Sequence, residues 1–177
     1  MDIKLFKKDS KQFVAEAAEL LIEIFPHAYS DCAFEEVKNC LDDDRVAMMA
    51  EDKGHLVGFI GAIPQYGNTA WELHPLVVRK CYQFQGIGTL LVQALEREVA
   101  SRGGITVYLG SDDEFGKTTL SNTDLYQDTY KKIDNIRNLK NHPYEFYQKN
   151  GYKIVGVIPD ANGIGKPDIW MAKRIHE

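Results

Sequence analysis

The sequence predicts an α/β fold, a mixed β-sheet with helices packed against it. Three observations lead there. Apolar residues recur at helical spacing in two long segments, and they alternate with period two in others. The resulting element order, β-α-α-β-β-β-α-β-α-β-β, mixes strand pairs with helical connections. No internal repeat, low-complexity tract or Pro/Gly/Ser linker divides the 177 residues, a length that suits one domain over residues 1–177.

Residues 3–6 read as a short first strand. From Lys11 to Phe25, Phe13, Ala17, Leu20 and Ile24 fall on one helical stripe, with Val14, Ala18, Leu21 and Phe25 beside them, and Pro26 closes the element. Ala33 to Leu41 reads as a second helix. Arg45–Glu51 and His55–Ile63 are strands joined by a turn at Asp52-Lys53-Gly54, and Pro64–Asn68 is a loop. Ala70–Val78 is the next strand. An amphipathic helix follows from about Thr89 to Ala100 and stops at Arg102-Gly103-Gly104. Ile105–Gly110 is a buried-type strand. Ser121-Asn122-Thr123-Asp124 resembles a capping box and predicts a helix after Ser121. A short helix over Pro143–Asn150 ends at Gly151, and Tyr152–Ile158 and Asp168–Lys173 are the last strands.

The charge balance excludes some functions. With 21 Lys+Arg against 26 Asp+Glu the formal charge is −5, which argues against a nucleic-acid partner and suits a cationic one. Cys32, Cys40 and Cys81 are an odd number with no CxxC spacing, the usage of a reducing compartment. No signal-like apolar segment opens the chain, and no apolar run is long enough to span a membrane. A soluble, cytoplasmic protein is expected. His27, His55 and His176 stand at no metal-ligand spacing, so no metal is expected.

The chemistry concentrates in Val77–Leu95. Gln83-x-x-Gly86-x-Gly88 sets two glycines at a strand-to-helix turn, where bare backbone N–H groups and a helix N-terminus can receive a pyrophosphate. The same pattern also fits a glycine-softened helix start, and neither GxGxxG nor a P-loop is present. On the strand before it, period two puts Glu72, His74 and Leu76 on one face and Trp71, Leu73 and Val77 on the other. Titratable groups on a core-like face serve a cavity or an edge. Pro75 cannot donate to a ladder and marks a bulge or an edge there. Tyr144, Phe146 and Tyr147 sit on the last helix, as packing residues or, for Tyr147, also as a general acid.

These residues resemble a family. Gln83-x-x-Gly86-x-Gly88 followed by a helix is similar to the acetyl-CoA pyrophosphate loop of the GCN5-related N-acetyltransferase (GNAT) superfamily, and Phe146-Tyr147-x-x-x-Gly151-Tyr152 resembles its last helix and strand. Segments 60–67, 71–78, 100–106 and 166–173 look very like the aminoglycoside 6′-N-acetyltransferases of Gram-positive bacteria. The resemblance implies a mostly antiparallel central sheet with splayed central strands. It implies acetyl transfer from acetyl-CoA to the 6′-amine of an aminoglycoside antibiotic, conferring resistance. It further implies acetyl-CoA contacts at Leu76, Val77, Val78, Gln83, Gln85, Gly86, Ile87, Gly88, Thr89 and Tyr147, and a homodimer to which Ile169-Trp170-Met171-Ala172 could contribute.

An aminoglycoside is a polycation, so its pocket should carry carboxylates. Tyr66, Trp71, Glu72, Asp112 and Asp113 are the expected acceptor contacts, though the Asp112-Asp113-Glu114 run also fits a solvated loop. Direct attack needs a base for the ammonium, with Glu72 first and His74 second. It also needs a donor for the developing oxyanion, the backbone near Leu76, and a proton for the leaving thiolate, from Tyr147. Acetylation of another polyamine or a protein amine, and CoA binding without turnover, are the competing expectations.

Overall fold

The computed structural model describes residues 1–176. Among the described residues, seven strands fall in the predicted order, with six α-helices where that order has four. They are β1 (Asp2–Leu5), α1 (Lys11–Ile24), α2 (Pro26–Tyr29), α3 (Ala33–Cys40), β2 (Val46–Asp52), β3 (His55–Gln65), β4 (Ala70–Val78), α4 (Ile87–Ser101), β5 (Thr106–Asp112), α5 (Thr129–Asp134), α6 (Tyr144–Lys149), β6 (Lys153–Ile158) and β7 (Asp168–Arg174). The strand order is β1-β2-β3-β4-β5-β7-β6. The sheet is mostly antiparallel, as expected. Among the described residues no helix is long and apolar enough to cross a membrane.

The chain forms two compact units, Met1–Val107 with the last residues from Ile175, and Tyr108–Arg174. In the first, β1, β2, β3 and β4 form antiparallel neighbours. β2 and β3 meet in a two-residue turn whose Lys53 and Gly54 both take positive φ, the twist that such hairpins require. One face of β2 and β3 buries Ala47, Met49 and Phe59 against Val14, Ala17, Leu20 and Leu21 of α1 and Val37 of α3. The other face meets α4, whose Ile87, Leu91, Leu95 and Val99 are buried. Buried on both faces, β2 and β3 read as continuous apolar runs.

In the second unit β6 and β7 pair antiparallel. Ile169 and Met171 of β7 are buried within the unit, and Trp170 stacks on Tyr108 at 5.7 Å. Within the Ile169–Ala172 segment, Trp170 and Ala172 are the half-buried residues. The helix predicted after Ser121 does not start at that capping box. Ser121 gives its hydroxyl to the Asp113 carboxylate (2.6 Å) instead of capping, and α5 begins only at Thr129.

Candidate active site

β4 changes faces halfway along. It pairs with β3 at Gly58–Val78, Phe59–Val77 and Ile60–Leu76, then steps to Ala62–Leu73. His74 and Pro75, joined by a cis peptide, therefore stand together opposite Gly61, two residues against one. Glycine is required there, because a Cβ on Gly61 would lie 2.5 Å from the His74 carbonyl oxygen. Past the bulge, Val77 joins the core under α1 and α3, while Val78 lies beside Leu91 of α4 above Gly58. Before it, His74 reaches Tyr29 of α2 and Glu36 of α3. Trp71 lies with Val99 of α4 over Gly104. Glu72 and His74 thus share the α2–α3 face, and Leu76 goes with Val78 to the α4 face. The reading that put Glu72, His74 and Leu76 together is corrected at Leu76: the bulge marked by Pro75 shifts the alternation by one.

On the α2–α3 face, Glu72 is half-buried and has no hydrogen bond or ion pair among the described residues. His74 is tied down. Its Nε2 lies 3.2 Å from the Tyr29 hydroxyl and 3.4 Å from Glu36 Oε1. Burial, and then the nearby Glu36, push the Tyr29 phenol up to about 12. Sequence reasoning missed both partners. The available signal was an acid on the apolar stripe of α3, where Ala33, Val37 and Cys40 are buried around Glu36. Tyr66 is 79% exposed at the β3–β4 turn, among the left-handed residues Tyr66, Gly67 and Asn68. Trp71 is 1% exposed and gives its indole N–H to Asn68 O at 2.9 Å, so it supports that turn from inside the core.

On the α4 side, ladder arithmetic orients the backbone. Arg79 N–H donates to Val57 O (2.8 Å), which makes Val77–Phe59 the next hydrogen-bonded pair and leaves Leu76 and Val78 pointing their backbone groups away from β3. Val78 O accepts from Gln83 Nε2 at 2.9 Å. Glu23 of α1 holds the start of the loop, accepting from Arg79 Nη1 (3.1 Å) and from Lys80 N–H (3.2 Å). Gln85 is exposed and donates to Cys81 O at 3.0 Å. Gly86 takes φ +83° with open space where a Cβ would stand. α4 begins at Ile87, two residues ahead of the predicted start, with no side-chain cap, and Leu90 N–H to Gly86 O closes its first turn. The N–H groups of Ile87, Gly88 and Thr89 are left without helical partners at the positive end of a 15-residue helix. That donor set fits the pyrophosphate of a coenzyme A thioester.

In the second unit, Tyr147 is half-buried on α6, edge-on to Phe146 (5.1 Å) and Tyr152 (5.8 Å), and burial holds its phenol well above the ordinary tyrosine range. Asp112 is exposed and accepts from Asn162 Nδ2 at 2.5 Å. Asp113, expected as an acceptor contact in a run that also fits a solvated loop, is not solvent-facing. It is fully buried, and its carboxylate accepts from Lys117 N–H (2.6 Å), Thr118 N–H (2.8 Å), Thr118 Oγ1 (2.8 Å) and Ser121 Oγ (2.6 Å). Burial works to raise its pKa, and these four donors outweigh it and hold the carboxyl below its usual range.

A broken central strand that runs into a glycine turn on a long helix N-terminus is the arrangement that the resemblance to acetyl-CoA-dependent transferases implies. The chain belongs to the acetyltransferase (GNAT) family, whose sequence model matches residues 14–127. It is similar to a crystal structure of an aminoglycoside 6′-N-acetyltransferase complexed with coenzyme A, with TM-score 0.99 and 55% identity over 100% of this chain and 98% of that one. An aminoglycoside 6′-N-acetyltransferase from Enterococcus faecium superposes with TM-score 0.97 at 55% identity, covering 100% of this chain and 98% of that one. An aminoglycoside 6′-acetyltransferase type Ii does so with TM-score 0.82 at 47% identity, covering 100% and 99%. Comparison with curated protein sequences gives no match.

Proposed function

We propose that the protein transfers the acetyl group of acetyl-CoA to the 6′-amino group of aminoglycoside antibiotics. The observation that carries this reading is its full-length likeness, at 55% identity, to an aminoglycoside 6′-N-acetyltransferase that holds coenzyme A. Resistance is the matching cellular role. In this reading Leu76, Val77, Val78, Gln83, Gln85, Gly86, Ile87, Gly88 and Thr89 receive acetyl-CoA, and Tyr66, Glu72 and Asp112 receive the polycation. Trp71 and Asp113 act from within, shaping the segments that carry the contacts.

The reaction runs as a direct attack. Glu72, a carboxylate with no partner among the described residues, takes a proton from the 6′-ammonium. The freed amine adds to the thioester carbon, and Leu76 N–H, turned away from β3, donates to the oxygen that becomes negative. Collapse breaks the carbon–sulfur bond, and Tyr147 gives its proton to the departing thiolate. The raised phenol keeps Tyr147 protonated at every working pH.

Residues 1–177 form one acetyltransferase domain in this reading. The family match at 14–127 runs through the boundary between the two compact units, which supports it. A homodimer and a cytoplasmic location complete the proposal. Incubation with kanamycin and acetyl-CoA, followed by mass spectrometry, tests the reaction. Kanamycin heavier by one acetyl group is the expected product. Acetyl-CoA binding without product, or acetylation only of protein amines, would overturn the assignment.

A further inference from the structure

One nitrogen of His74 serves two partners. Nε2 lies 3.2 Å from the Tyr29 hydroxyl oxygen and 3.4 Å from Glu36 Oε1. A neutral imidazole carries one N–H and one lone pair, and its surroundings decide which nitrogen holds the proton. A lone pair on Nε2 would face the carboxylate oxygen of Glu36, negative against negative. A proton on Nε2 faces two acceptors instead, the carboxylate and the phenol oxygen. The titratable groups that act on Tyr29 are the acids or neutral donors Glu36, Cys40 and Cys32, and the one cation nearby, Arg45, acts on Cys40. Tyr29 keeps its proton, Cys40 Sγ–H lies 3.8 Å from Glu36 Oε1 with its thiol pushed up to about 12 by burial, and Cys32 and Glu72 bring no positive charge. Among the described residues no other cation forms an ion pair with Glu36.

We propose that Glu36 is a positioning residue that fixes His74 as the Nε2–H tautomer, so that Nδ1 is left to accept, through water, the proton that Glu72 removes from the acceptor. The relay half rests on the acetyl-transfer reading above; the tautomer half does not. Glu72 and His74 lie two residues apart on one face, about 7 Å along the strand. Each turnover leaves one proton on Glu72. That proton passes to Nδ1, the imidazolium is paired with Glu36, and the ring, 42% exposed at its side chain, releases the proton to solvent.

Long-range ¹H–¹⁵N correlation NMR on histidine-labelled protein reads the tautomer directly, with His74→Gln assigning its signal among the five histidines. The wild type, with the ring neutral, should show the Nε2–H pattern. Glu36→Gln should switch it to Nδ1–H, because the amide and Tyr29 can then donate to Nε2. With kanamycin, Glu36→Gln should lower kcat about tenfold while the acetyl-CoA KM holds, the usual effect of losing a residue that orients another. An Nδ1–H ring in the wild type overturns the proposal, as does a Glu36→Gln protein with unchanged tautomer and unchanged kcat. A Glu36-dependent Nε2–H signal in a protein that acetylates no aminoglycoside would support the positioning role and overturn the proposed reaction.

Discussion

His74 and Val77 are three residues apart on β4 and carry their side chains to the same face of the sheet. His74 meets Tyr29 and Glu36, and Val77 packs in the core beneath α1 and α3. An unbroken strand would put them on opposite faces. The bulge opposite Gly61 lets one strand offer Glu72 and His74 to one side and Leu76 and Val78 to the other. A nucleophile's proton can then be taken by a side chain on one face, while a thioester's oxygen meets the backbone N–H that Leu76 turns away from β3.

Gly61→Ala tests the bulge. Its new methyl would stand 2.5 Å from a backbone oxygen that cannot swing away. A loss of about 1–3 kcal/mol is expected, the usual cost of overpacking. Gly156→Ala is the control, with nothing within 4 Å of its Cβ and an expected change within about 0.5 kcal/mol. Chemical denaturation of both variants decides. Equal stability would mean that the bulge relaxes freely.

The cofactor turn is tested at Gly88, inside the first turn of α4 and outside the left-handed region, so that a side chain there adds little backbone strain. Gly88→Val should raise the acetyl-CoA KM about tenfold, matching one lost hydrogen bond to a charged group at about 1.5 kcal/mol. The acceptor KM should hold. Unchanged acetyl-CoA affinity in the folded variant would remove the pyrophosphate assignment.

The sequence made the outline of this site legible and left its wiring hidden. Ala70–Val78 is the strand that periodicity predicts, and Pro75 marks the break. Which face Leu76 takes depends on how many residues the bulge admits, and Gly61 of the neighbouring strand decides that. The Tyr29–His74 contact joins residues 45 apart, with no local pattern to announce it. Ser121 misled for a different reason: its hydroxyl donates to the buried Asp113 carboxylate, whereas a cap would have its oxygen accept a backbone N–H of a helix N-terminus.

Tyr147→Phe keeps the ring against Phe146 and Tyr152 and removes only the hydroxyl. Thermal stability should be nearly unchanged. Single-turnover acetylation should slow by about 10²-fold if the phenol protonates the thiolate. Because burial holds the phenol so high, the wild-type rate should show no loss of this proton donor up to pH 9 or so. A wild-type chemical rate in Tyr147→Phe would return the residue to packing alone.

His142 gives the second unit a pH dependence. It is 2% exposed, its Nε2 lies 3.1 Å from Asp112 O, and its Nδ1 accepts Tyr144 N–H at 3.2 Å. Burial depresses its pKa, so the fold favours the neutral ring. Below the unfolded value of about 6.5 the unfolded chain takes the proton first, and stability should fall until the depressed folded pKa is passed. Above about 6.5 this contribution is fully present. Urea midpoints between pH 5 and 8 should show that slope in the wild type and lose most of it in His142→Gln. Parallel curves would assign the slope elsewhere.

Glu72→Gln tests the account most directly, because it keeps shape and removes both charge and basicity. The measurement is the pH dependence of kanamycin acetylation under single-turnover conditions. If Glu72 takes the ammonium proton, the variant should be about 10²–10⁴-fold slow at neutral pH and recover as rising pH deprotonates the amine in solution. A rise in kanamycin KM with the chemical rate intact would instead reduce Glu72 to a binding group for the polycation. A variant profile that parallels wild type at near-equal height would contradict the account.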